Sequence, residues 1–400
     1  MQTAGRPYVV ISADTHAGAS IEAYRAYLDP AHRERFDAWR ASYRNPQRRH
    51  IGSKKHKNWD DAERLRDMES EGVVGEVVFP NTVPPFFRTS VLICGNPSVE
   101  NYRDRLAGIR AHNRWLAEWC AEHPERRAGI GLVYLNDVDE AIADVEWIAK
   151  HGLRGGVLLP HVPPDCTHIR PLYAPDYDRF WAACQDCDVV LNHHGGTGSP
   201  DYGPYKVALP IRLLETPFFS TRSYAHLLLG GVFERFPKLR YIVTESGCAW
   251  VPSTLENLDR VWARVRTGAV GEFEFATDSM PPEPPSFYAR RNCFYGASSP
   301  SRRELAGRHE IGIDRILWGS DYPHYEGTYP YTRPSLRHTL HDVPEPEVRA
   351  ILGENAARLY GFDLAKLAPL AERFGPTPAE VATPLPADAI PRDTHTNAFR

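Results

Sequence analysis

Short apolar runs alternate with amphipathic stretches eight times along this chain. The runs occupy residues 8–16, 73–80, 128–134, 154–159, 188–194, 239–245, 292–295 and 316–321. The stretches between them, among them 59–68, 101–122, 137–151, 177–184, 210–236 and 250–264, have helical spacing, and a last one at 345–360 closes the pattern. Strand alternating with helix specifies a parallel sheet covered on its faces. Eight such units predict a closed (β/α)8 TIM barrel of the α/β class. An open doubly wound sheet would carry a glycine-rich phosphate loop after an early strand, and none is present.

The barrel is expected over residues 1–370, with a polar insertion near 20–60 and a Pro-rich tail from 371 to 400. The insertion contains Arg48-Arg49-His50 and Lys54-Lys55-His56-Lys57. Such charge runs read first as a solvated loop and alternatively as a basic lid over an anionic substrate. Pro84-Pro85-Phe86-Phe87 is an aromatic turn suited to lining a pocket. Asp60 or Asp61 is placed to start a helix, and Gly152 to end one.

A net charge of −4 gives no reason to expect nucleic acid or an anionic membrane as partner. No run is long enough to span a bilayer, and the first seven residues contain no apolar signal core. The seven cysteines are odd in number and scattered, which suits reduced thiols in a cytoplasmic protein. Cys184 and Cys187 form a lone CxxC, where a zinc site would want a second pair.

The chemistry collects at the strand ends. The first strand ends in Asp14-Thr15-His16, whose first and third side chains share a face. Glu76 stands inside the Val-rich second strand, where a carboxylate must be paired, neutral or metal-bound. The fifth strand ends in Asn192-His193-His194, of which His194, against Gly195-Gly196, is the better placed to point inward. The sixth ends in Glu245, and the eighth runs into Asp321-Tyr322-Pro323-His324. A barrel gathers these ends around one axis, making a cavity of imidazoles and carboxylates suited to a divalent transition metal. Asp321 is placed to accept a proton from a metal-bound water.

Asp14-Thr15-His16, His194-Gly195-Gly196, Gly231-Val-Phe-Glu-Arg-Phe-Pro237, Glu245-Ser246-Gly247 with Trp250, and Gly319-Ser-Asp-Tyr-Pro-His324 together resemble the amidohydrolase-related family. This is the branch of the amidohydrolase superfamily that contains aminocarboxymuconate-semialdehyde decarboxylase. The resemblance spans the chain to about residue 370 and implies a (β/α)8 barrel with a divalent metal. The family's metal residues fall on Asp14, His16, His194 and Asp321. The decarboxylases usually carry histidine where this chain has Glu245, and the fourth-strand lysine of many dinuclear members is missing from residues 154–160.

The full candidate metal set is therefore Asp14, His16, Glu76, His194, Glu245, Asp321 and His324, with Asp321 and His324 also catalytic candidates. Three of these carry alternative readings. Glu245 would orient His194, Glu76 would pair with an arginine such as Arg154, and His324 would bond substrate. One zinc implies hydrolysis or non-oxidative decarboxylation of a small organic molecule. Two iron or mixed iron/manganese ions imply an oxygenase. An inactive barrel serving as a partner subunit is the third reading. A homo-oligomer, or pairing with a related barrel, is expected. Tyr202, Arg333, Phe86, Phe87 and Tyr325 are candidate substrate contacts.

Overall fold

A computed structural model describes residues 5–45, 55–196, 198–276 and 278–400. Eight parallel strands follow one another around a single sheet in sequence order: Val10–Ala17, Val73–Pro80, Arg127–Leu132, Gly156–Leu158, Val190–His194, Arg240–Thr244, Cys293–Ser298 and Ile316–Gly319. They are called the first to eighth strands below. The eighth closes on the first through two backbone bonds, from Asp321 N to Asp14 O at 2.9 Å and from His16 N to Tyr322 O at 2.7 Å. The barrel expected from the alternation is thus present.

Alternation along each strand sorts its side chains into two cores. Ile11, Ile130, Val190, Ile242, Phe294 and Leu317 belong to one apolar cluster, joined by Tyr360 and Phe362. The Tyr360 hydroxyl donates to Asn192 Oδ1 at 2.8 Å. Val10, Val157, Leu191, Val243, Tyr295 and Trp318 belong to the other, with the surrounding helices. Each fully buried aliphatic side chain contributes about 1.5–3 kcal/mol of transfer free energy. The resulting scaffold is rigid enough to hold polar groups at its rim.

Local signals start two helices where the sequence placed them, and the first runs three residues beyond its expected end at 68. Asp60 accepts from Glu63 N at 3.0 Å and starts Asp61–Glu71, which Gly72 ends in the left-handed conformation. Asp137 caps Val138–Lys150 in the same way. The eighth strand stops at Gly319, two residues before its expected end, because Asp321 takes a positive φ of 57°. The seventh runs three residues beyond its expected end, to Ser298.

Arg48, Arg49, His50 and Lys54 lie outside the described residues. Lys57, the last of the basic run, is buried rather than solvated or poised over a substrate. It pairs with Asp67 and with Glu63 at 3.3 Å, and sits 4.4 Å from the Tyr329 ring centre. The C-terminal segment folds back on the barrel. Tyr8 N donates to Pro376 O at 2.9 Å, Arg333 binds Glu380 at 2.8 Å and Phe374 O, and Val381 and Ala398 are buried. Arg333 is thereby engaged by the C-terminal segment. Among the described residues, no helix is long and apolar enough to cross a membrane.

Candidate metal centre

Asp14 and His16 project from the end of the first strand and meet His194 from the end of the fifth. Asp321, just past the eighth, approaches the same His16 from the other side and groups with it and His324. All four side chains are buried. Asp14 Oδ1 lies 3.2 Å from His16 Nε2 and 3.3 Å from His194 Nε2, and Asp321 Oδ1 lies 3.1 Å from His16 Nε2. Donors held about 2.1 Å from one ion stand about 3.0 Å apart at right angles and about 3.4 Å apart at tetrahedral angles. The observed separations fall between those limits.

Tautomers point the same way. His194 Nδ1 faces the Gly195 carbonyl at 2.8 Å and His16 Nδ1 the Pro80 carbonyl at 3.4 Å. Donation of Nδ1–H to these carbonyls turns both Nε2 lone pairs toward the carboxylates, the disposition of metal-bound imidazoles. His16 Nε2 is buried without a hydrogen-bond partner among the described residues. Burial pushes the Asp14 carboxyl up, but the His194 and His16 imidazoles outweigh it and hold it well below the usual carboxylate range. The donor set thus fits a divalent cation.

Supporting contacts fix each of these groups. Ser298 at the end of the seventh strand hydrogen-bonds Asp14 Oδ2. Gly319 lets the eighth strand approach, since a Cβ there would meet Asp14 Cβ at 2.6 Å. The Phe79 ring covers His194 at 4.5 Å between ring centres. His161 Nε2 donates to His194 O at 3.0 Å, which leaves Nδ1 to accept from Ser223 Oγ at 3.0 Å.

Glu245 and His324 border the cluster. Glu245 Oε2 lies 3.2 Å from His194 Nδ1, and the residue has a positive φ of 54°. Positive φ in non-glycine residues costs on the order of 1–3 kcal/mol and concentrates at functional sites. Burial raises the Glu245 carboxyl, His194 opposes, and the Asp321 and Asp14 carboxylates add to the rise, to about 8. Its side chain is 30% exposed, so water screens part of that push. His324 Nδ1 lies 2.7 Å from Asp321 Oδ1, and its Nε2 lies 3.1 Å from Asn81 Oδ1. Burial works against a charge on His324, but Asp321 outweighs it and raises the imidazole to about 10.

Glu76 is not brought to this cluster. Its oxygens take Arg64 Nη2 at 2.6 Å, Arg64 Nε at 3.0 Å and Thr15 Oγ1 at 2.9 Å, with Arg127 Nε 3.4 Å away. The carboxylate is saturated by two cations, neither of them Arg154, whose Nε instead donates to Arg127 O at 3.0 Å. Its link to the centre is indirect, through Arg64 Nη1, which donates to His16 O at 2.8 Å. Asn192 also faces away, donating to the Gly155 carbonyl at 2.8 Å, and His193 packs on the His161 ring.

Of the candidate substrate contacts, Phe87 is buried and Phe86 packs against Phe36 and Trp39. Tyr202 donates to Glu215, and Tyr325 beside His324 is exposed. Ser298, Asn81 and Arg64 escaped sequence reasoning. Only the last had a signal, since the unpaired Glu76 demanded a cation.

A sequence profile of the amidohydrolase family matches residues 13–362. The chain is 26% identical over 250 residues to the gamma-resorcylate decarboxylase of Rhizobium sp., spanning 59% of this chain and 72% of that one. The 5-carboxyvanillate decarboxylase of Sphingomonas paucimobilis superposes with a TM-score of 0.62 at 20% identity, over 89% of this chain and 100% of its own. A dihydroxybenzoic acid decarboxylase from Polaromonas sp., solved with bound manganese and the inhibitor 2-nitroresorcinol, gives 0.62 at 17% identity, over 90% and 99%. At these identities the two structures speak to the fold.

Proposed function

The chain belongs to the amidohydrolase family, and from that premise we propose that it is a metal-dependent, non-oxidative decarboxylase of a hydroxylated aromatic acid. The observation that carries this reading is the convergence of Asp14, His16 and His194, with Asp321 reaching the same His16 Nε2, in a chain related to gamma-resorcylate decarboxylases. Manganese or zinc held by these four would chelate the substrate's carboxylate and adjacent hydroxyl, and stabilise negative charge there.

The residues themselves supply positioning and a proton. Asp14 and Asp321 are fixed to each other by the barrel-closing bond, so substrate meets a preset charge pattern. Phe79 forms an apolar wall beside the imidazoles. When the bond to the carboxylate carbon breaks, its electron pair stays on the ring carbon. A proton held on His324, hydrogen-bonded to Asp321, replaces the departing carbon dioxide. Glu245, in the position where the decarboxylases usually carry histidine, keeps His194 oriented through Nδ1. Incubating the manganese-loaded protein with 2,6-dihydroxybenzoate and related ortho-hydroxybenzoates in D2O tests the reaction. Carbon dioxide and a product bearing one deuterium at the vacated carbon are expected. Hydrolysis or oxygen uptake instead would reject it.

One observation favours a second reading. Glu245, Asp321, His324 and Glu326 form a further group of oxygen and nitrogen donors, joined to Asp14, His16 and His194 through the group His16, Asp321 and His324. A second ion there, bridged by Asp321, would make the centre dinuclear and suit iron or manganese oxygen chemistry. Metal content separates the two readings, at about one or about two ions per chain.

The partner we propose is a second copy of this chain. The helix Ala208–Leu229 leaves Leu213, Leu214 and Phe218 exposed, together with Tyr205 and Val207 just before it. An apolar patch of this kind marks an association surface. The seven free thiols support a reducing, cytoplasmic setting.

A further inference from the structure

Beside the metal centre, on the same carboxyl-end face, lies a cavity of about 670 Å³. Its walls come from the ends of the third and fourth strands, the loop around residues 88–96 and the start of the helix Ala208–Leu229. Its volume falls in the range of sites for small organic ligands. Leu132, Leu158, Ile93 and Ile109 give it apolar walls.

Deep in this cavity stands Arg105, which is only 6% exposed. Its Nη1 donates to Gly95 O at 2.7 Å and its Nη2 to Tyr134 Oη at 2.8 Å. Its Nε is buried and has no hydrogen-bond partner among the described residues. No carboxylate among the described residues pairs with it, in contrast to the buried Arg64 and Arg127, which share Glu76. Its compensation comes from neutral oxygens and from the Phe87 ring, 4.2 Å from the guanidinium. Arg212 is the second cation on the wall. It donates from Nη2 to Gly196 O at 2.9 Å and Ile93 O at 3.2 Å, again without a carboxylate partner among the described residues. The acids of the cavity, Asp165 and Asp201, are exposed at its outer edge. They are engaged by the backbone amides of Asp201 at 3.0 Å and Gly203 at 2.8 Å.

A buried cation without a counter-charge is costly unless an anion completes it, and a guanidinium edge matches a carboxylate. We propose that this cavity is a binding subsite for an amphipathic organic carboxylate, whose charged end meets Arg105 and Arg212 and whose hydrocarbon body lies on the apolar walls. The subsite does not depend on the metal reading, because neither arginine belongs to the metal cluster. It adjoins that cluster through the segments after the fourth and fifth strands, where His161 donates to His194 O and Arg212 to Gly196 O.

Calorimetric titration of the full chain with 1-naphthoate, and with the neutral 1-naphthamide, tests this. Both metal-loaded and chelator-stripped protein should be used. Naphthoate should bind both preparations, with naphthamide weaker by about tenfold or more, and Arg105→Gln should weaken naphthoate by a similar factor. Arg105→Lys should retain part of the affinity, and Arg212→Gln should lower it. Equal binding of acid and amide would overturn the proposal. So would undiminished binding in folded Arg105→Gln, or no binding at millimolar naphthoate. Should Arg105→Gln fail to fold, Arg212→Gln and the acid–amide comparison decide. Binding seen only in metal-loaded protein would place naphthoate on the metal and reject the subsite while leaving the metal centre intact.

Discussion

The backbone amide of Asp321 donates to the carbonyl of Asp14 at 2.9 Å, so the bond that closes the barrel also sets the spacing of two carboxylates. His16 Nε2 sits between them, 3.2 Å from one and 3.1 Å from the other. Scaffold and site are therefore one construction at this seam. Changing Asp321 to Asn preserves shape and removes charge. Metal content should fall, and decarboxylation should be lost, while the thermal transition remains cooperative. Full turnover in this variant would remove Asp321 from the proposed machinery.

Ser298 acts on the centre through Asp14 Oδ2. Ser298→Ala should leave the fold unchanged and lower metal affinity by about 10–100-fold, the usual effect of losing a partner that orients a ligand. Competition with a chelator measures this directly.

Gly319 makes room for Asp14, with 2.6 Å separating a hypothetical Cβ there from Asp14 Cβ. Gly319→Ala should displace the carboxylate and lower metal content, while Gly307→Ala, with nothing within 4 Å, should do neither. Parallel elemental analysis of the two variants checks the contrast.

Burial pushes the Glu76 carboxyl up, but Arg64, Arg127 and Thr15 outweigh it and hold it below its ordinary 4.5. The unfolded chain therefore binds more protons between the folded value and 4.5, and stability rises with pH across that window. The contribution is fully present above 4.5 and disappears as pH falls through the folded value. Glu76→Gln should lose this dependence and cost about 3–5 kcal/mol near neutral pH, because it leaves Arg64 buried beside a neutral partner. Because Glu76 is saturated by arginines, metal stoichiometry should stay unchanged in folded Glu76→Gln. Denaturant titrations at several pH values measure the first effect and elemental analysis the second.

The exposed Leu213, Leu214 and Phe218 predict self-association through the helix Ala208–Leu229. Leu213→Glu combined with Leu214→Glu should shift sedimentation to the monomer. An unshifted sedimentation coefficient would separate this face from any assembly.

The barrel was legible because the strands carried apolar signals and some helices side-chain caps, as at Asp60 and Asp137. The approach of Asp14, His16 and His194, and of Asp321 to His16, was legible because strand ends meet in a parallel barrel whatever the loops do. Glu76 shows where that logic stops. Its burial was readable, but whether a buried acid faces a metal or an arginine depends on which way a strand residue points, and the first strand is irregular between Ser12 and Thr15, beside it. Ser298 and Asn81 gave no signal, since a serine or asparagine at a strand end is ordinary until its neighbour is known. The basic run ending at Lys57 read as surface, yet Asp67 and Glu63 draw Lys57 inward through contacts that only the tertiary fold creates.

One ion held by Asp14, His16, His194 and Asp321 is the centre of the proposed chemistry. Elemental analysis of the purified wild-type chain beside His194→Ala tests it most directly. About one manganese or zinc ion per wild-type chain, and almost none in a folded His194→Ala, is the predicted result. Equal metal in the two proteins, or a wild-type chain that takes up none when dialysed against either ion, would contradict it.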